Sequence, residues 1–189
     1  MTYQQYTDLF EDILQDEHPD APYDNPNYIK YVRLNHSRMN RWMKRMELDE
    51  ALANALRNYR LKQHWIIITE PWCGDAAHSL PFLVRLAEQS AAITYELQLR
   101  DSEPYLINNY LTNGGKSIPK LIARDEDGAD LFTWGPRPEP AQQLWKELKT
   151  SGADFETINH QLQNWYNNDK GQTLQKEMLK ELSRISVPD

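Results

Sequence analysis

The segment that most constrains this chain runs from residue 64 to residue 89. Residues 64–69 (HWIIIT) are apolar and β-branched, which fits a buried strand. Residues 75–89 follow a helical pattern, with Leu80, Leu83, Val84, Leu86 and Ala87 facing inward. Between them stands Trp72-Cys73-Gly74-Asp75, which holds the chain's only cysteine. A thiol at a strand-to-helix junction is placed for chemistry. Without a second thiol in the chain, the usual dithiol chemistry is closed to it.

The pattern continues beyond this unit. Ile93, Tyr95, Leu97 and Leu99 alternate as in a strand over 93–99. Residues 103–111 read as a helix that Asn113-Gly114-Gly115 stops. Two short strands, 120–123 and 130–133, flank a hairpin turn at Asp125-Glu126-Asp127-Gly128. A helix over 138–150 follows. The order predicts a parallel βαβ unit joined to an antiparallel hairpin.

Both flanks read as helical. Upstream lie helices over 1–15, 28–46 and 49–59, with a proline-rich loop at 18–27. Downstream, Phe155, Ile158, Leu162, Trp165 and Tyr166 mark one helix. A break at Asp169-Lys170-Gly171 leads to a second with Leu174, Met178 and Leu182. The expected organisation is an N-terminal helical extension (1–48), an α/β core (49–150) and a C-terminal helical extension (151–189), packed as one domain.

The formal charge of −7 argues against nucleic acid as a partner, since phosphate binding needs clustered cations. Arg38, Arg41, Lys44 and Arg45 do cluster, and read as a solvated helix face. The first fifteen residues are acidic and unlike a signal peptide, and no apolar stretch approaches the roughly 20 residues of a membrane helix. With a single cysteine, this favours a reducing cytoplasm and no membrane partner.

Residues 49–150 resemble the thioredoxin superfamily through four features in order. The apolar strand runs into Trp72-Cys73-Gly74, similar to the family's Trp-Cys-Gly-Pro-Cys. A helix follows. Ile118-Pro119 precedes a strand, similar to the family's cis-proline segment. Gly135 stands after the hairpin and before the last helix, where the family also has a glycine. The resemblance implies a thioredoxin-like fold: a central mixed sheet, βαβ plus ββα, with helical N- and C-terminal extensions. Trp134-Gly135-Pro136-Arg137-Pro138 and the helical flanks resemble an uncharacterised bacterial thioredoxin-like subgroup, in which Cys-Gly-Asp replaces the dithiol.

The departures from the family bear on activity. Ala76 stands where the second cysteine belongs, and Asp75 where the proline does. Ile67 occupies the position of the buried proton-relay carboxylate. Conventional dithiol reduction is excluded, because releasing a mixed disulfide needs a second thiolate. The resemblance makes Cys73 and Asp75 the catalytic candidates, and Trp72, Ile118, Pro119, Gly135 and Arg137 the substrate-binding ones. Trp72 is expected at the exposed rim of the site. Arg137 is expected to give its charge to an anionic ligand or to Asp75. A carboxylate about 6 Å from the sulfur, at an effective dielectric of 20–80, raises a thiol pKa by roughly 0.5–2 units.

Two functions remain open. One is single-thiol exchange with a protein or peptide client, completed by a low-molecular-weight thiol as co-substrate; retention of the attacking thiol favours it. The other is a peptide- or protein-binding module without redox turnover, using the groove of Trp72, Ile118, Pro119 and Arg137. No bound cofactor or metal is expected: one cysteine and five scattered histidines show no ligand spacing. Gly115-Lys116-Ser117 lacks the upstream glycine and following helix of a phosphate loop.

Overall fold

The computed structural model describes residues 1–185. Among them, four strands form one mixed sheet in the order β2-β1-β3-β4. β1 (Gln63–Thr69) pairs parallel with β2 (Ile93–Leu99) and antiparallel with β3 (Lys120–Arg124). β3 in turn pairs antiparallel with β4 (Asp130–Trp134). This is the expected α/β, thioredoxin-like arrangement, with helices at both ends of the chain. The centre of β1, Trp65 to Ile68, is apolar because the strand is central and covered on both faces. Trp65 and Ile67 enter one core cluster, while Ile66 and Ile68 enter the other, as strand alternation requires.

Seven α-helices surround the sheet among the described residues: α1 (Tyr3–Gln15), α2 (Pro26–Arg45), α3 (Glu50–Arg57), α4 (Gly74–Ala87), α5 (Glu139–Thr150), α6 (Phe155–Asp169) and α7 (Gln172–Ile185). Their starts follow from local chemistry. Thr2 and Gln5 form a capping box on α1, and Asn25 caps α2 just ahead of Pro26. Asp49 and Asp154 cap α3 and α6.

The flanking helices share the core of the sheet. Phe10, Val32 and Met39 from the N-terminal side, and Leu174 and Met178 from the C-terminal side, pack in one cluster with Trp65, Ile67 and Phe82. Burying each such side chain contributes about 1.5–3 kcal/mol. Two polar contacts then fix these helices against the end of β1. The Tyr6 and Thr69 hydroxyls lie 2.9 Å apart, and Asn35 Nδ2 donates to the Pro71 carbonyl at 2.9 Å. Both contacts fall just ahead of Cys73, so the extensions position the junction.

One expected element differs. Residues 103–111 do not form an α-helix; Leu106–Asn109 makes a 3-10 turn. Tyr105 has a left-handed backbone (φ 53°), which interrupts a regular helix. Leu106, Ile107 and Tyr110 instead plug the second core cluster.

Gly135 is held by close backbone approach. Its φ is +110°, and a Cβ there would stand 2.2 Å from the Pro119 carbonyl oxygen. The buried Lys120 ammonium secures the same loop, donating to Thr112 Oγ1 at 2.8 Å and to the Gly135 carbonyl at 3.3 Å. The Ile118-Pro119 peptide is cis. Gly135→Ala is expected to lower unfolding free energy by at least about 2 kcal/mol in urea titrations. Gly128→Ala, at φ +82° with open space around it, is expected to cost only about 1 kcal/mol.

Candidate functional site

Cys73 is the N-cap of α4, and its surroundings disfavour the thiolate. The residue is 7% exposed and packs with Ile66, Ile68, Ala76, Ile107, Ile118 and Ile122. The sulfur accepts the Ala76 N–H at 3.5 Å, and the S–H donates to the Ile118 carbonyl at 3.4 Å. Burial pushes the thiol pKa up to about 12, and the charge of Asp75 adds to it. The sequence pointed to Asp75 as the cause; desolvation by the isoleucine cluster is the larger one.

Asp75 is not free to act beside the thiol. Its Oδ2 lies 2.6 Å from Arg137 Nη2, and its Oδ1 accepts the Tyr166 hydroxyl at 2.8 Å. The Asp75 and Arg137 side chains are only 13% and 15% exposed. Arg137 also donates from Nη1 to Gln142 Oε1 at 3.1 Å, and its guanidinium lies 5.2 Å from the centre of the Trp145 ring. Burial disfavours the Arg137 charge, but Asp75, Tyr166 and Cys73 together outweigh it and hold the guanidinium above its ordinary pKa. Of the two partners considered for Arg137, the structure supplies Asp75.

A cavity of about 630 Å³ opens over this pair, between α2 on one side and α5 and α6 on the other. Trp72, Cys73, Asp75 and Arg137 reach it. Trp72 is half-buried rather than exposed: Tyr28 meets its ring edge at 5.8 Å, and the Arg100 guanidinium stacks 4.6 Å from its centre. Ile118 and Pro119 are buried behind the thiol, Gly135 is half-buried, and none of the three lines the cavity. No group of three or more metal-ligating side chains occurs among the described residues. No helix there is long and apolar enough to cross a membrane.

A family model described as Thioredoxin matches residues 23–149. The chain belongs to the thioredoxin superfamily. Two solved structures share the fold. One is a protein of unknown function from Pseudomonas aeruginosa, with TM-score 0.51 and 16% identity, covering 76% of this chain and 90% of that one. The other is an HIV epitope-scaffold, with TM-score 0.58 and 15% identity, covering 98% of this chain and all of that one. No curated protein matches the sequence.

Several residues that shape the site of this thioredoxin-family chain escape a motif-based reading. Arg38, taken from sequence for part of a solvated face, is half-buried against the cavity. It shares an i, i+4, i+7 stripe of α2 with Tyr31 and Asn35, and that spacing was the available signal. Tyr166 read only as an apolar helix position, yet its hydroxyl holds Asp75. His78 is buried, stacked 4.4 Å from Tyr166. Its Nδ1 accepts the Trp42 indole N–H and its Nε2 donates to Gln163, both at 3.0 Å. With both nitrogens engaged, His78 is no base for Cys73. Burial lowers its pKa to about 3.

Two outcomes follow from this packing. Asp75→Ala or Arg137→Ala, each stranding a buried charge, is expected to cost about 3–5 kcal/mol. A double-mutant cycle by urea unfolding should give a coupling of about 1–3 kcal/mol. For His78, the unfolded state binds the proton first as pH falls below 6.5, so its stabilisation is complete above that pH and lost towards pH 3. Between pH 6.5 and 5 the native chain should lose about 2 kcal/mol more than a His78→Gln variant.

Proposed function

We propose that this chain is a ligand-binding member of the superfamily, in which the active-site corner serves recognition and not thiol–disulfide turnover. One observation carries this reading: the sole cysteine is buried, bonded to the Ile118 carbonyl, and held protonated. With a pKa near 12, about one molecule in 10⁵ carries a thiolate at pH 7. The thiolate is the attacking species, so exchange through Cys73 is slow from the outset. Ala76 offers no resolving thiol, and Asp75 is engaged by Arg137 and Tyr166. The cavity beside them supports a binding role, because Trp72 and the Asp75–Arg137 pair form a shaped wall that needs no chemistry to act.

The competing reading, single-thiol exchange with an external thiol, draws on Cys73 standing at the first turn of α4, where the Ala76 N–H points at the sulfur. Alkylation of the native protein by iodoacetamide separates the two. The binding reading expects Cys73 to react at least about 100-fold more slowly than free cysteine at pH 7. Its rate should rise about tenfold per pH unit through pH 9. A rate within tenfold of free cysteine, or an apparent pKa below 9, favours exchange instead. Cys73→Ser should then abolish function, which the binding reading expects it to spare.

A further inference from the structure

The charged lining of the cavity is opposite in sign to the chain. The whole sequence carries −7, yet the cavity is lined by three cations, Arg38, Arg137 and Lys149, and by one carboxylate, Asp75. Asp75 is committed to Arg137. That leaves an excess of two positive charges, Arg38 and Lys149, which form no ion pair among the described residues. His78, buried and neutral, adds none.

Arg38 is built into place. Its Nη1 donates to Asn35 Oδ1 at 2.9 Å, and Asn35 is itself anchored to the Pro71 carbonyl. The guanidinium lies over the first turn of α4; a Cβ on Gly74 would come within 3.6 Å of Nη1. Burial and the nearby Arg41 oppose its charge more than Tyr31 and Asp75 favour it, and no carboxylate among the described residues forms an ion pair with it. Lys149 stands exposed at the rim.

Among amide and aliphatic residues such as Asn25, Asn159 and Leu162, the walls carry several aromatic rings. Tyr28 and Tyr31 face the cavity from α2, and Trp145 and Phe155 from α5 and α6. The Tyr31 and Phe155 rings meet edge to face at 6.3 Å, joining the two walls, while Phe155 remains 68% exposed. A volume of about 630 Å³ suits one small molecule. Deepening the binding reading, and resting on it, we propose that this cavity takes a small aromatic anion. Its acidic head pairs with Arg38, Lys149 supplies long-range attraction at the rim, and its flat body lies between the aromatic walls of α2 and α5–α6. A planar guanidinium matches a carboxylate or sulfonate in two-point contact.

The test compares two fluorescent probes of like body: 8-anilinonaphthalene-1-sulfonate, an anion, and N-phenyl-1-naphthylamine, its neutral counterpart. The native protein is expected to bind the anion saturably at one site, at least about tenfold more tightly than the neutral probe. Arg38→Gln should weaken the anion about tenfold or more and leave the neutral probe unchanged. Lys149→Gln, a surface change that spares the fold, should weaken it about two- to fivefold. Equal affinity for the two probes overturns the proposal. So does an Arg38→Gln protein of native melting temperature that binds the anion normally, or an Arg38→Gln protein that fails to fold while Lys149→Gln leaves anion affinity unchanged. If charge proves irrelevant while Cys73 stays inert to iodoacetamide, the ligand class falls and the binding reading stands. If Cys73 reacts like free cysteine, the binding reading falls.

Discussion

The Asp75 carboxylate is where three separated parts of the chain meet. It opens α4, pairs with Arg137 from the loop after β4, and accepts the hydroxyl of Tyr166 from α6. A buried ion pair of this kind gains little over a hydrophobic contact of the same size, because both charges must first leave water. Its effect is on placement. It ties the C-terminal extension to the cysteine turn, forms the floor of the cavity, and puts a negative charge beside the sulfur.

Two influences on that sulfur oppose each other, and their sizes decide the outcome. A helix N-terminus favours a thiolate by about 0.3–1 kcal/mol, up to about 2 when partly buried. Moving the thiol from its ordinary 9.0 to about 12 corresponds to about 4 kcal/mol in the other direction. Burial among isoleucines, assisted by Asp75, therefore prevails over the helix dipole. On the superfamily scaffold, packing and the Asp75 charge together disfavour the thiolate at Cys73.

Much of the fold was legible in the sequence because its signals are local. The HWIIIT run, the alternation from Ile93 to Leu99 and the Asp125–Gly128 turn each report a backbone state through their own neighbours. Where tertiary packing decides, the sequence misled: residues 103–111 read as a helix, but Leu106, Ile107 and Tyr110 instead fill a core cluster around a 3-10 turn. The site divides in the same way. Cys73, Asp75 and Arg137 came from motif positions, and the last two prove to touch. The cavity did not come from sequence, since its walls are assembled from α2 and α6, more than a hundred residues apart. Arg38 among basic neighbours looks solvated until its helix is set against the cysteine turn. Trp72 was placed at an open rim because nothing local indicates that Tyr28 and Arg100 cover it.

The ion pair also bears on how this lineage can change. A dithiol site of the superfamily type needs cysteine in place of Ala76 and proline in place of Asp75. The first change alone sets a second sulfur behind a buried one, beside a carboxylate that disfavours thiolate. The second alone strands the Arg137 guanidinium and the Tyr166 hydroxyl in the interior. Each single step carries a cost of its own, so the Asp75–Arg137 pair makes these two positions change together or not at all.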